Sequence, residues 1–126
     1  CRHALKEDGI LVNQHEGPYF REDAEEAAAI YRKTSAIFPI AAVYQAHIPT
    51  YPAGHWLFGF MSSRYHPVRD LDPERWEKLG IETRYYNTAL HAGAFALPTY
   101  VRRLLEKGEI LDTVFRQAAI EDNGDE

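Results

Sequence analysis

Ile40-Ala41-Ala42-Val43-Tyr44-Gln45-Ala46-His47-Ile48 runs into Pro49-Thr50-Tyr51-Pro52-Ala53-Gly54 and then into Trp56-Leu57-Phe58-Gly59-Phe60-Met61-Ser62. The first and last of these segments are rich in β-branched and aromatic residues and read as strands, 40–48 and 56–62. The connector holds two prolines and a glycine. It is too short for a crossover helix, so the two strands it joins are antiparallel neighbours.

Upstream, residues 22–37 change to helical spacing, with Ala27, Ile30, Tyr31, Thr34 and Ile37 on one stripe. Asp23 and Glu26 have the spacing of a capping box, and acidic residues crowd the first turn, where the helix dipole favours them. Before the helix, Ile10-Leu11-Val12-Asn13-Gln14 is a short apolar run of the kind buried on both faces of a parallel sheet. Strand, helix and strand make a βαβ unit with a right-handed crossover. The expectation is an α/β protein showing one end of an open, mostly parallel sheet. Cys1 to Lys6 reads as the last turn of a helix already under way, stopped by Gly9, and so predicts further chain upstream.

Downstream, Asp72-Pro73-Glu74-Arg75-Trp76 predicts a short helix with an aspartate cap and proline at its first position. Pro98 to Lys107 predicts a second helix closed by Gly108, and Glu109 to Ile120 a third. An acidic tail follows from Glu121 to Glu126.

Composition narrows the function classes. The 126 residues are 45% hydrophobic and 26% charged, enough apolar material for a core and against global disorder. A net charge of −5 argues against general affinity for nucleic acid or anionic membrane and would suit a cationic ligand. With the single cysteine Cys1 no internal disulfide can form. No apolar run approaches the roughly 18–20 residues that span a bilayer. A cytoplasmic location is expected.

Most chemical motifs are absent. His47, His55, His66 and His91 follow no metal-ligand spacing, and no metal site is predicted. Cys1 has no neighbouring base, and no nucleophile elbow, dinucleotide fingerprint or P-loop occurs. The Tyr51 loop is the exception. Two prolines limit the freedom of the chain on either side of Tyr51, so its ring loses little entropy on binding. The loop also follows the carboxyl end of a strand, where open α/β sheets bind ligands, and Gln14 ends the other strand at the same side. A stiff hairpin with an aromatic packed beneath it is an equally good reading of the same residues.

At this point the sequence resembles the spermidine synthases. Gly9-Ile10-Leu11-Val12-Asn13-Gln14-His15-Glu16 is similar to that family's strand-and-glutamine segment, and Tyr44 through Gly54 to its most recognisable C-terminal motif. Arg84-Tyr85-Tyr86-Asn87, His91 and Ala94-Phe95-Ala96-Leu97-Pro98 resemble its closing signature, in order and spacing. The resemblance covers Cys1 to about Lys107. Residues 1–107 are accordingly expected to be the C-terminal part of an aminopropyltransferase catalytic domain, and residues 108–126 a helical extension and acidic tail without family counterpart.

The resemblance implies a Rossmann-like, methyltransferase-type fold and transfer of an aminopropyl group from decarboxylated S-adenosylmethionine, a co-substrate rather than a cofactor, to putrescine. The products are spermidine and methylthioadenosine. It implies that Tyr51 contacts the amine, that Gln14 orients an ammonium, and that Pro52 and Trp56 line the apolar middle of the pocket. Glu16 reads as a surface or cap residue that could add negative potential, and Tyr85, Tyr86, Asn87 and His91 as packing and hydrogen-bonding residues. The family's catalytic base is an aspartate on a gate loop expected upstream of Cys1, so no catalytic residue is assigned here and the chain alone is expected to be inactive. Family members are commonly dimers or tetramers, which implies a homo-oligomer. An amine N-methyltransferase on the same scaffold, an agmatine-preferring transferase and a non-catalytic interaction module remain alternatives.

Overall fold

The computed structural model of the chain describes residues 1–111. After a single 3-10 turn at Arg2–Ala4, the elements are β1 (Ile10–Gln14), α1 (Arg21–Ile37), β2 (Ile40–His47), β3 (His55–Ser62), α2 (Pro73–Lys78), α3 (Thr88–Ala94) and α4 (Thr99–Lys107). The order strand, helix, strand, hairpin strand, helices is the one the sequence predicts. Among these residues no helix is long and apolar enough to cross a membrane.

The sheet differs from the mostly parallel one expected: among the described residues both strand pairings are antiparallel. The strand order is β1-β3-β2, with β3 antiparallel to both neighbours. The two strands joined by α1 do run in the same direction, but the hairpin strand fills the gap between them. A βαβ crossover fixes handedness and direction, not adjacency, so the sequence pattern fits either arrangement. In consequence β1 is an edge strand here, not one buried on both faces: Ile10 and Val12 are 48% and 56% exposed.

The register separates two faces. Leu11, Asn13, Val43, Leu57, Gly59 and Met61 point to an inner face, where α1 and α4 cover the sheet. Ala24, Ala27 and Ala28 are the buried residues of α1. Their small side chains let the helix lie close to the sheet, and Ala27 joins Val43, Leu57, Val101 and Leu105 in the main core cluster. Tyr31 packs against that cluster as its stripe predicts, while Ile37, at the last turn, is exposed. The Asp23–Glu26 capping box does not form. The helix starts earlier, with Phe20 in extended conformation as N-cap, which leaves Glu22 and Asp23 as first-turn charges on the helix dipole.

The outer face carries Val12, Gln14, Tyr44, Trp56, Phe58 and Phe60. Tyr44 stacks on Phe58 with centroids 5.3 Å apart, and Phe95 at the end of α3 covers Tyr44 and Phe60 at 5.2 and 6.2 Å. Helix α3 is capped by Asn87, whose Oδ1 accepts from the Leu90 N–H at 2.7 Å. Asp72 caps α2 in the same way at 3.0 Å, with Pro73 at the first position, and Gly108 ends α4 in the left-handed conformation, as expected. The helix predicted over Glu109 to Ile120 lies outside the described residues beyond Leu111, as does the acidic tail.

Candidate functional site

The loop between β2 and β3 is closed by its own backbone. The Ile48 N–H donates to Gly54 O at 2.8 Å, Tyr51 N–H to Ile48 O at 3.1 Å, and Gly54 N–H to Tyr51 O at 3.1 Å. Two successive turns therefore share Tyr51 as their hinge. The second requires positive φ at Ala53 (65°) and Gly54 (65°), a conformation that costs Ala53 about 1–2 kcal/mol and Gly54 nothing. Tyr51 and Pro52 project from the loop, with Tyr51 60% exposed.

Tyr51 meets Trp56, the second residue of β3, edge-on at 5.7 Å between centroids and 72° between planes. Trp56 points to the outer face opposite Ala46, and its neighbour on that face, Phe58, lies opposite Gln14. Gln14 and Trp56 are thus diagonal neighbours, a relation that spans about 7–8 Å in a sheet. The fold brings Tyr51, Trp56 and Gln14 together at one end of the outer face, with Pro52 at its rim. All except Trp56 are exposed. A phenol, an indole and an amide thus share one end of the outer face. A cavity of about 330 Å³ opens further along the outer face, lined by Val12, Tyr44, Ala46, Phe60, Tyr85 and Phe95; the four predicted residues do not line it.

Glu16 follows Gln14 by two residues and interacts electrostatically with two acidic residues at the start of α1. Burial, helped by the charges of Asp23 and Glu26, holds the Glu16 carboxyl above its ordinary range. A carboxylate crowded by two others gains from a cation.

The closing-signature residues make hydrogen bonds and ring contacts within the chain. Tyr86 OH lies 2.8 Å from His91 Nδ1, and His91 Nε2 lies 2.8 Å from the carbonyl of Pro67. Tyr86 also packs edge-on to Trp76 at 4.6 Å. The Tyr85 hydroxyl accepts from the His47 N–H at 3.4 Å.

Sequence reasoning missed a cluster beneath the loop, on the inner face. His55, the first residue of β3, is buried, with Nε2 2.7 Å from Gln45 Oε1 and Nδ1 3.2 and 3.1 Å from the hydroxyls of Tyr19 and Tyr100. Those hydroxyls are 2.8 Å apart. His47 stacks on His55 at 5.8 Å and 13° because the hairpin register places them opposite each other. Burial, with His47 adding, holds the His55 pKa below its ordinary value. Burial and the bond with Tyr19 push the Tyr100 hydroxyl well above the ordinary phenol range. Among the described residues no group of three or more His, Cys, Asp or Glu side chains is arranged to hold a metal ion.

The chain is similar to known proteins over most of its length. Residues 1–72 match the family model described as the spermine/spermidine synthase domain. A polyamine aminopropyltransferase of Clostridium beijerinckii is 64% identical over 105 residues, which are 83% of this chain and 37% of that protein. One from Alkaliphilus oremlandii is 60% identical over 109 residues, 86% of this chain and 38% of that protein. The crystal structure of spermidine synthase from Thermotoga maritima superposes with a TM-score of 0.79 at 40% identity, covering 84% of this chain and 37% of that one. A spermidine synthase in complex with the transition-state analogue AdoDATO gives the same TM-score and identity over 36% of its length. The chain therefore spans less than two-fifths of the length of the curated relatives it matches.

Proposed function

Because the chain belongs to the spermine/spermidine synthase family, we propose that it forms the amine-side wall of an enzyme transferring the aminopropyl group of decarboxylated S-adenosylmethionine to putrescine. The observation that carries this reading is the convergence of Tyr51, Trp56 and Gln14 at one end of the outer face. A diamine is a short methylene chain with a basic nitrogen at each end, and these residues offer complementary chemistry. Trp56 and Pro52 would pack the methylenes. The Gln14 carbonyl would accept from a protonated amine, and the Tyr51 ring and hydroxyl would take a cationic or N–H donor head. Glu16, two residues beyond Gln14, would add negative potential.

The transfer is a displacement at the carbon beside a sulfonium. The attacking amine must be neutral, so one proton leaves for a base while the other end of the diamine stays charged and anchored. Tyr51 and Gln14 would orient the amine along the line of attack. The base is expected to be an aspartate on a gate loop outside this chain, and the chain alone would then be inactive. Residues 1–107 would be the C-terminal part of the catalytic domain, with residues 108–126 an extension to it, and the intact enzyme a homo-oligomer in the cytoplasm.

The test is made on the intact protein with putrescine and decarboxylated S-adenosylmethionine, following spermidine and methylthioadenosine together. Tyr51→Ala should lower amine turnover roughly tenfold or more, the scale of a lost hydrogen bond to a charged group. Its melting temperature should change little, because Tyr51 is 60% exposed. No spermidine from the unaltered protein, or equal loss of turnover and stability in the variant, overturns the reading.

A further inference from the structure

We infer that His55 is a positioning residue for the amine site: by joining Gln45, Tyr19 and Tyr100 beneath the Tyr51 loop, it sets the separation between Tyr51 and Gln14. This rests on the reading of the site as an amine pocket. His55 does not touch that site itself, since it faces the inner side of the sheet while Trp56 faces the outer.

The donors and acceptors fix one arrangement. The Gln45 amide oxygen at 2.7 Å can only accept, so His55 Nε2 carries the ring hydrogen. Nδ1 is then a bare lone pair that accepts from one tyrosine hydroxyl, and the second hydroxyl donates to the first across 2.8 Å. Both ring nitrogens, both hydroxyls and the Gln45 amide oxygen have a partner when the imidazole is neutral. Networks satisfied in this way specify a single geometry, which an apolar side chain of the same volume would not. Burial and His47 favour the neutral ring. Among the described residues, the titratable side chains that face it are His47 from β2, Tyr19 from the β1–α1 segment and Tyr100 from α4, with no carboxylate among them.

The connections run to both halves of the proposed pocket. His55 immediately follows Gly54, the residue that closes the Tyr51 loop. On the other side, the segment leaving Gln14 is fastened to β3 three times. The His15 N–H donates to Leu57 O at 2.9 Å, Gly17 packs so closely that a Cβ would lie 3.2 Å from His55 O, and Tyr19 bonds the His55 ring. Tyr100 ties this assembly to α4 and so to the core. Loosening the imidazole frees the loop and the Gln14 segment relative to each other while leaving the main core intact.

The experiment uses the intact protein and two variants, His55→Phe and the double variant Tyr19→Phe/Tyr100→Phe, which keeps both rings and removes only the hydroxyls. Both should raise the apparent KM for the amine on the order of tenfold while moving the KM of the aminopropyl donor less than about twofold. Adding Tyr51→Phe to either should cost less than it does in the unaltered protein, because the hydroxyl it removes is already misplaced. If His55→Phe does not fold, the tyrosine pair decides alone. An unchanged amine KM, or parallel rises in both KM values, overturns the inference and leaves the proposed function standing. An unaltered protein that transfers no aminopropyl group overturns both.

Discussion

The ring of Tyr51 stands edge-on to the indole of Trp56, 5.7 Å away at 72°, and this is the contact that ties the exposed loop tip to the sheet. The indole Nε1 is buried and has no hydrogen-bond partner among the described residues. Tryptophan is therefore held at position 56 for its face, not for its N–H, and keeping it costs the desolvation of one donor.

Trp56→Phe should then be nearly neutral for stability, the lost area being offset by the removal of an unsatisfied donor, whereas Trp56→Ala should lower both stability and amine affinity. Fluorescence of the intact protein checks the assignment when the amine-induced change is compared with and without Trp56→Phe, since Trp56 and Trp76 are the two tryptophans of residues 1–126. In a Trp76→Phe background, putrescine should perturb emission from Trp56. A change at saturating amine that is the same with and without Trp56→Phe would remove Trp56 from the pocket.

Gly59 sits at the centre of β3, between Asn13 on β1 and Val43 on β2. A Cβ there would fall on Asn13 Oδ1, within 2.6 Å of His15 Nε2 and 3.1 Å of Met61 Sδ. Gly59→Ala should destabilise the protein by about 1–3 kcal/mol, the usual cost of overpacking a core. Urea unfolding measures it, and a midpoint equal to that of the unaltered protein would mean that Asn13 and His15 can swing clear.

These two positions show what could be read in the sequence. The hairpin, the proline-stiffened loop and the caps at Asp72 and Gly108 were legible because each is decided by residues adjacent in the chain. Helix α3 was not, being only seven residues long and holding Gly93, although Asn87 three positions before Leu90 is a cap signal. The pairing of β3 with β1 was not legible either, because strand-helix-strand spacing says nothing about which strand fills the gap. The Tyr51–Trp56 contact lies within one hairpin and could be anticipated. The His55 group could not, as its partners lie 10, 36 and 45 residues away on three different segments.

Acid sensitivity follows from two buried imidazoles, His15 and His55, whose pKa values burial holds below the ordinary value. In the unfolded chain each takes a proton near pH 6.5; in the folded protein each resists until a lower pH. Between those points the unfolded state binds more protons, so stability is fully present above about pH 6.5 and falls as pH drops through the lowered folded values. His15 is 1% exposed, and neither ring nitrogen has a partner among the described residues. Replacing it by leucine removes buried polar atoms that make no bonds and removes one of the two acid-sensitive groups. His15→Leu should therefore raise stability near neutral pH by about 1 kcal/mol and flatten the fall in urea midpoint on acidification. A variant that is less stable near neutral pH, or as acid-sensitive as the unaltered protein, would show that the His15 ring has partners in the intact enzyme.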